Sequence, residues 1–154
     1  MRSLIIGSLA AAAILALASP ASAGSPPLTV TDVQHQETFV DSDVNPCSGE
    51  PGVVTTVVNA VFHITLFPDG RYHVTGTATG TFEFDTTNPA APDYSGRVTN
   101  WFGENSNSNS LTSSFTFSVR GTGTDGSTIR FHETAHVSIV GGEIVVEFDK
   151  VRCG

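Results

Sequence analysis

Residues His132-Glu133-Thr134-Ala135-His136 spell HExxH, the arrangement of a zinc peptidase. On a helix its two histidines stand at i and i+4 on one face, can share a metal, and leave the glutamate as general base. On a strand the same histidines stand roughly 13 Å apart, at about 3.3 Å per residue. Zn–N bonds are about 2.1 Å, so one zinc cannot bridge that gap. The surrounding residues decide between the two. From Thr128 to Val140, Ile129, Phe131, Glu133, Ala135, Val137 and Ile139 share one parity. Arg130, His132, Thr134, His136 and Ser138 share the other. That is the period of a strand, and it runs into the turn dipeptide Gly141-Gly142. No N-cap and no apolar stripe of helical period are present. Ile139 stands where the extended zinc-peptidase pattern has Gly. The string is read as strand residues, with no metal and no cofactor implied.

Other residues with chemical potential are sparse. No Ser-His-Asp or Cys-His arrangement follows from spacing. Glu104 and Glu133 form a glycosidase-type pair only if the fold brings them together. Asp41-Ser42-Asp43-Val44-Asn45 opens like a calcium loop. Pro46 stands where an EF-hand needs Gly, and Gly52 where it needs its bidentate Glu, so the segment reads as a solvated acidic loop. Trp101 and Phe102 fall on opposite faces of one strand, and an exposed Trp101 beside Asn, Glu and Arg suits a sugar platform.

The elements that must position these residues are all strands. Val53–Phe67, Arg71–Asp85, Tyr94–Glu104, Leu111–Gly123, Ser127–Val140 and Glu143–Arg152 alternate, and Leu28–Val40 supplies a first strand. Pro68-Asp69-Gly70 and Thr124-Asp125-Gly126 read as three-residue turns, and Gly141-Gly142 as a two-residue hairpin. Hairpin counting from these turns pairs Leu66 with Tyr72, Phe62 with Gly76, Val119 with Phe131 and Phe117 with Glu133. It also pairs Ile139 with Ile144, Val137 with Val146 and Ala135 with Phe148. Apolar faces then coincide throughout, as register demands. Glycines opposite bulky residues mark bent strands. The expected fold is all-β: an up-and-down antiparallel meander of seven or eight long strands, closed or nearly closed into a barrel, with a β-sandwich as the alternative.

The same counting sets Glu133 opposite Lys150, and Arg152 opposite Phe131, on the apolar face. It sets His136 opposite Glu147 and His132 opposite Val151, on the polar face. Buried charges are costly unless paired, so the inward Glu133–Lys150 pair is either a ligand anchor or a rim ion pair. Asn100 shares the inward parity. The candidate ligand-binding set is Glu133, Lys150, Arg152, Asn100 and Trp101.

Residues 1–23 have the form of a secretory signal: Arg2, an apolar core Leu4–Leu17, and the cleavage sequence Ala21-Ser22-Ala23. Cleavage there leaves residues 24–154 as one domain, moves the formal net charge from −8 to −9, and implies an extracellular location. An acidic chain without a run of Lys or Arg is a poor partner for nucleic acid or anionic membranes. Oligomeric state is not written in these features. In an oxidising compartment Cys47 and Cys153 are expected to form one disulfide.

The stretches Asn45-Pro46-Cys47-Ser48-Gly49-Glu50, Trp101-Phe102-Gly103-Glu104-Asn105 and Arg130–Val137, with the ending Phe148–Gly154, resemble a group of small secreted proteins from actinobacteria. That resemblance spans nearly all of the chain after the signal. It implies secretion and a single domain, and carries no assigned activity. The resulting expectation is a secreted, non-enzymatic β-barrel that binds a small molecule or a carbohydrate. The alternatives are a secreted hydrolase, zinc-dependent through His132, Glu133 and His136 or carboxylate-based, and an extracellular structural or inhibitory protein.

Overall fold

A computed structural model describes residues 24–154. The expected signal segment lies outside the described residues. Seven strands follow one another: β1 Leu28–Val44, β2 Pro51–Leu66, β3 Tyr72–Thr86, β4 Tyr94–Ser106, β5 Ser110–Gly123, β6 Thr128–Val140 and β7 Glu143–Cys153. They form one antiparallel sheet in sequence order, β1 to β7. Each strand pairs with its chain neighbours because short turns join them, as in any meander. The turns take the expected form. Phe67 N donates to Arg71 O, Gly123 N donates to Ser127 O, and Gly70, Gly126, Gly141 and Gly142 have positive φ. The registers at both three-residue turns are those expected, with Phe62 opposite Gly76 and Phe117 opposite Glu133.

No ladder joins β1 to β7, so the sheet is open, not closed. It is nonetheless strongly curved. A flat sheet would hold its first and seventh strands about 29 Å apart, six spacings of about 4.8 Å. The disulfide Cys47–Cys153 instead holds the β1–β2 connection and the end of β7 at a Cα–Cα distance of 5.7 Å. Glycines permit the bend. A Cβ on Gly80 would strike the Val57 carbonyl, and one on Gly96 the Arg120 carbonyl. The Phe82 ring lies over Gly121, where a Cβ would come within 2.7 Å of it. Phe82, Phe84, Val98, Val119 and Ile129 form the core on the concave face, at the disulfide end. Asn45 anchors that end: it is 3% exposed, and its Oδ1 accepts from Cys47 N (2.9 Å) and Ser48 N (3.3 Å).

One expected register is wrong. The Gly141-Gly142 hairpin starts as counted, Ile139 opposite Ile144, but a bulge then shifts the ladder by one residue. Ser138 meets Val146, Val137 meets Glu147, His136 meets Phe148, Glu133 meets Val151 and His132 meets Arg152. Phe131 is opposite Cys153, not Arg152. One extra residue moves every later side chain to the other face. The shift brings Cys153 onto the concave parity from which it bonds Cys47, a constraint that hairpin counting does not contain. The Glu133–Lys150 pairing is therefore replaced: Lys150 stands opposite Thr134, on the convex face.

Candidate functional site

The HExxH residues lie on β6, and the strand separates them by face. His132 Nδ1 is 2.7 Å from Ser118 Oγ, and His136 Nδ1 is 2.8 Å from Ser114 Oγ, both on the convex face. His136 also stacks on Phe148, with centroids 5.6 Å apart. Glu133 points the opposite way. The zinc-peptidase geometry is thus dismantled by strand parity, and no group of three or more His, Cys, Asp or Glu among the described residues could hold a metal ion. His63 and His73 are similarly held, by Thr31 (3.1 Å) and by Asn105 Oδ1 (2.6 Å).

The five candidate site residues divide between the two faces. Glu133 and Asn100 are concave. They flank Phe117 in one cross-strand row. Glu133 is 8% exposed and is outside the salt bridge found among the described residues, Arg71–Asp69. Burial, then the nearby carboxylates of Asp149 and Asp43, raise its pKa above the ordinary glutamate value. The Asn100 Oδ1 is buried with no partner. Glu104 is also concave but four residues further along β4, where Tyr72 OH donates to its Oε1. Burial and that carboxylate push the Tyr72 pKa up to about 12. Measured along the sheet, Glu104 and Glu133 are roughly 16 Å apart, from two strand spacings and four residues. A glycosidase-type pair needs about 5–9.5 Å.

Trp101, Lys150 and Arg152 are convex. Trp101 is 42% exposed, between Thr77 and Thr116 across the ladder. Its indole folds back over Gly103, where a Cβ would stand 2.8 Å from Cη2. Thr134 and Lys150 continue the row of Trp101 and Thr116. The adjoining row runs Thr79, Thr99, Ser118, His132, Arg152. The next runs Thr81, Arg97, Arg120, Arg130. Arg97, Arg120 and Arg130 are thus directly opposed on three adjacent strands, and all are exposed.

Positive charge on the strands is confined to one face. On the described strands every Lys and Arg is convex, while β1 directs Asp32, Glu37, Asp41 and Asp43, and β7 directs Glu147 and Asp149, to the concave parity. The calcium-like loop is therefore part of an extended strand, with Asn45 Oδ1 committed to its own turn. The arginine row was missed in the sequence because its members lie far apart in the chain. The Thr124–Gly126 turn already held half the signal, since pairing Val119 with Phe131 pairs Arg120 with Arg130.

Comparison of the chain with protein-family models, curated proteins and solved structures gives no match. The site is consequently defined by its own geometry.

Proposed function

We propose that this is a secreted, non-enzymatic carbohydrate-binding protein that uses the convex face of β4–β7. The observation that carries the reading is Trp101, exposed in the middle of β4 and surrounded on the convex face by hydroxyls, cations and His132, with Phe148 further off on β7. A sugar ring offers an apolar C–H face and a rim of hydroxyls. An indole lying flat receives the first, and Thr, Ser and Arg side chains match the second. Gly103 lets the indole lie on the sheet in advance of binding, which lowers the ordering cost. The disulfide supports an oxidising compartment, and among the described residues no helix is long and apolar enough to cross a membrane. The curvature supports a nearly closed barrel with an open seam between β1 and β7. Affinity electrophoresis through gels containing soluble polysaccharides tests the reading. Retardation of the native protein, reduced by Trp101→Ala, is expected; equal mobility of both proteins in every gel refutes it.

A second reading is favoured by a separate observation, the buried Asn100 oxygen without a partner, in the same concave row as Glu133. Buried polar groups ordinarily have partners, and a small ligand carrying donors would supply them. Native mass spectrometry of protein from culture supernatant is expected to show an organic adduct that Glu133→Gln loses. A bare chain for both proteins refutes this reading and leaves the convex face untouched.

A further inference from the structure

We infer that the ligand of the convex face is an acidic polysaccharide, bearing carboxylate or sulfate groups, recognised by Arg97, Arg120 and Arg130 with Arg152 and Lys150 beside them. This rests on the reading that the face of Trp101 takes carbohydrate. The arginine row is the observation that carries it. Directly opposed like charges on neighbouring strands repel, so three in line oppose the fold that contains them. None of the three is in an ion pair; among the described residues the salt bridge is Arg71–Asp69, in the β2–β3 turn. On the convex parity the acids stand at the margins. Glu83 of β3 is diagonal to Arg97, Asp85 lies two residues further along β3, and Glu143 sits at the distant Gly141-Gly142 turn. Four exposed guanidiniums and an ammonium therefore share one face without an interleaved carboxylate.

The geometry suits an extended polyanion. Arg97 to Arg130 spans two strand spacings, about 10 Å, and Trp101 lies four residues from Arg97, about 13 Å along β4. Guanidinium groups bind carboxylate and sulfate bidentately, which an ammonium cannot do. The whole chain carries a formal charge of −8. A polyanion is therefore repelled by the acidic concave face and the seam, and steered onto the one surface that attracts it. A nucleic acid is also a polyanion. The rows that hold the cations, however, are mostly Thr and Ser, and the two exposed aromatics of the face, Trp101 on β4 and Phe148 on β7, stand three strands apart, which suits hydroxyl-rich chains better than the closely repeated stacking surfaces of single-stranded nucleic-acid sites.

The test uses the full mature chain and fixed probes. Polygalacturonate and dextran sulfate are the acidic probes, and methyl-esterified polygalacturonate and dextran are the neutral ones. Single-stranded DNA and phosphatidylglycerol vesicles are the competing polyanions. Isothermal titration is expected to show binding to the acidic polysaccharides that exceeds binding to the neutral ones by about tenfold or more, and that weakens as salt rises from about 50 to about 500 mM. Combined Arg97→Gln, Arg120→Gln and Arg130→Gln should abolish that preference. These side chains are exposed, and an unchanged far-ultraviolet spectrum checks that the variant is folded. Equal binding of acidic and neutral polysaccharides overturns the charge inference and leaves the carbohydrate reading standing. Binding of none of the four polysaccharides overturns both. Tighter binding of DNA or vesicles overturns the identity of the ligand.

Discussion

Breaking the Cys47–Cys153 disulfide should cost more stability than any single side-chain change in this fold. The bond closes a loop with a sequence separation of 106 residues. In the chain-entropy treatment a loop of that length removes about 16 cal/mol/K from the unfolded chain, or about 4.8 kcal/mol at 25 °C. A domain of this size shifts its Tm by about 3–4 °C per kcal/mol, so Cys47→Ser with Cys153→Ser should lower Tm by about 15 °C. The sheet adds a reason of its own. No ladder joins β1 to β7, so once the bond is cut only the curvature of the intervening strands keeps the two edges together. Differential scanning calorimetry of the native and double-Ser proteins measures the difference, with a reduced native sample as control. A Tm change below about 5 °C would show that the edges hold each other without the bond, and that the sheet is effectively closed.

Other consequences follow from particular groups. Glu133→Gln should stabilise the protein at neutral pH and have little effect near pH 4. A glutamate whose folded pKa is raised keeps its full stability only below the unfolded value, and loses it as pH rises through the folded one. Chemical denaturation at the two pH values measures this, and an equal effect at both contradicts it. Tyr72 should ionise near pH 12, and Tyr72→Phe should remove that step from an alkaline absorbance titration. The linked stability is present below pH 10 and lost as pH approaches 12. Arg120→Gln relieves the repulsion from both Arg97 and Arg130, and should raise stability by about 0.5 kcal/mol at low salt, less at high salt. A loss of stability in denaturant titrations would mean that the row is not a set of uncompensated charges.

Much of the fold was legible because local rules repeat along the chain. The β2–β3 and β5–β6 registers came from turn chemistry plus the requirement that apolar faces coincide, and Phe62–Gly76 and Phe117–Glu133 pair accordingly. The HExxH residues were placed on a strand by their neighbours' period. The β6–β7 register failed after a correct start, because a bulge beside Val145 shifts the later pairs by one residue and the turn that precedes it carries no sign of that shift. Glu133 lost its expected partner Lys150 for that reason. The arginine row escaped notice for a different one. It needs the β4–β5 register, which depends on the loop from Asn107 to Asn109, where Asn107 Oδ1 accepts from the backbone N–H groups of Asn109 and Ser110. That loop carries no simple turn signature. The openness of the sheet likewise depends on two edges that are distant in sequence.

The chain has a single tryptophan, so its fluorescence reports on the face assigned to the ligand. Titrating the native protein with polygalacturonate at low salt, and following Trp101 emission, tests the central claim most directly. The account predicts a saturable blue shift as the half-exposed indole is covered, reversed by added salt and lost when Arg97, Arg120 and Arg130 are replaced by Gln. Emission that stays constant while calorimetry detects binding would contradict it, because the polysaccharide would then be held away from the face on which Trp101 and the arginine row lie.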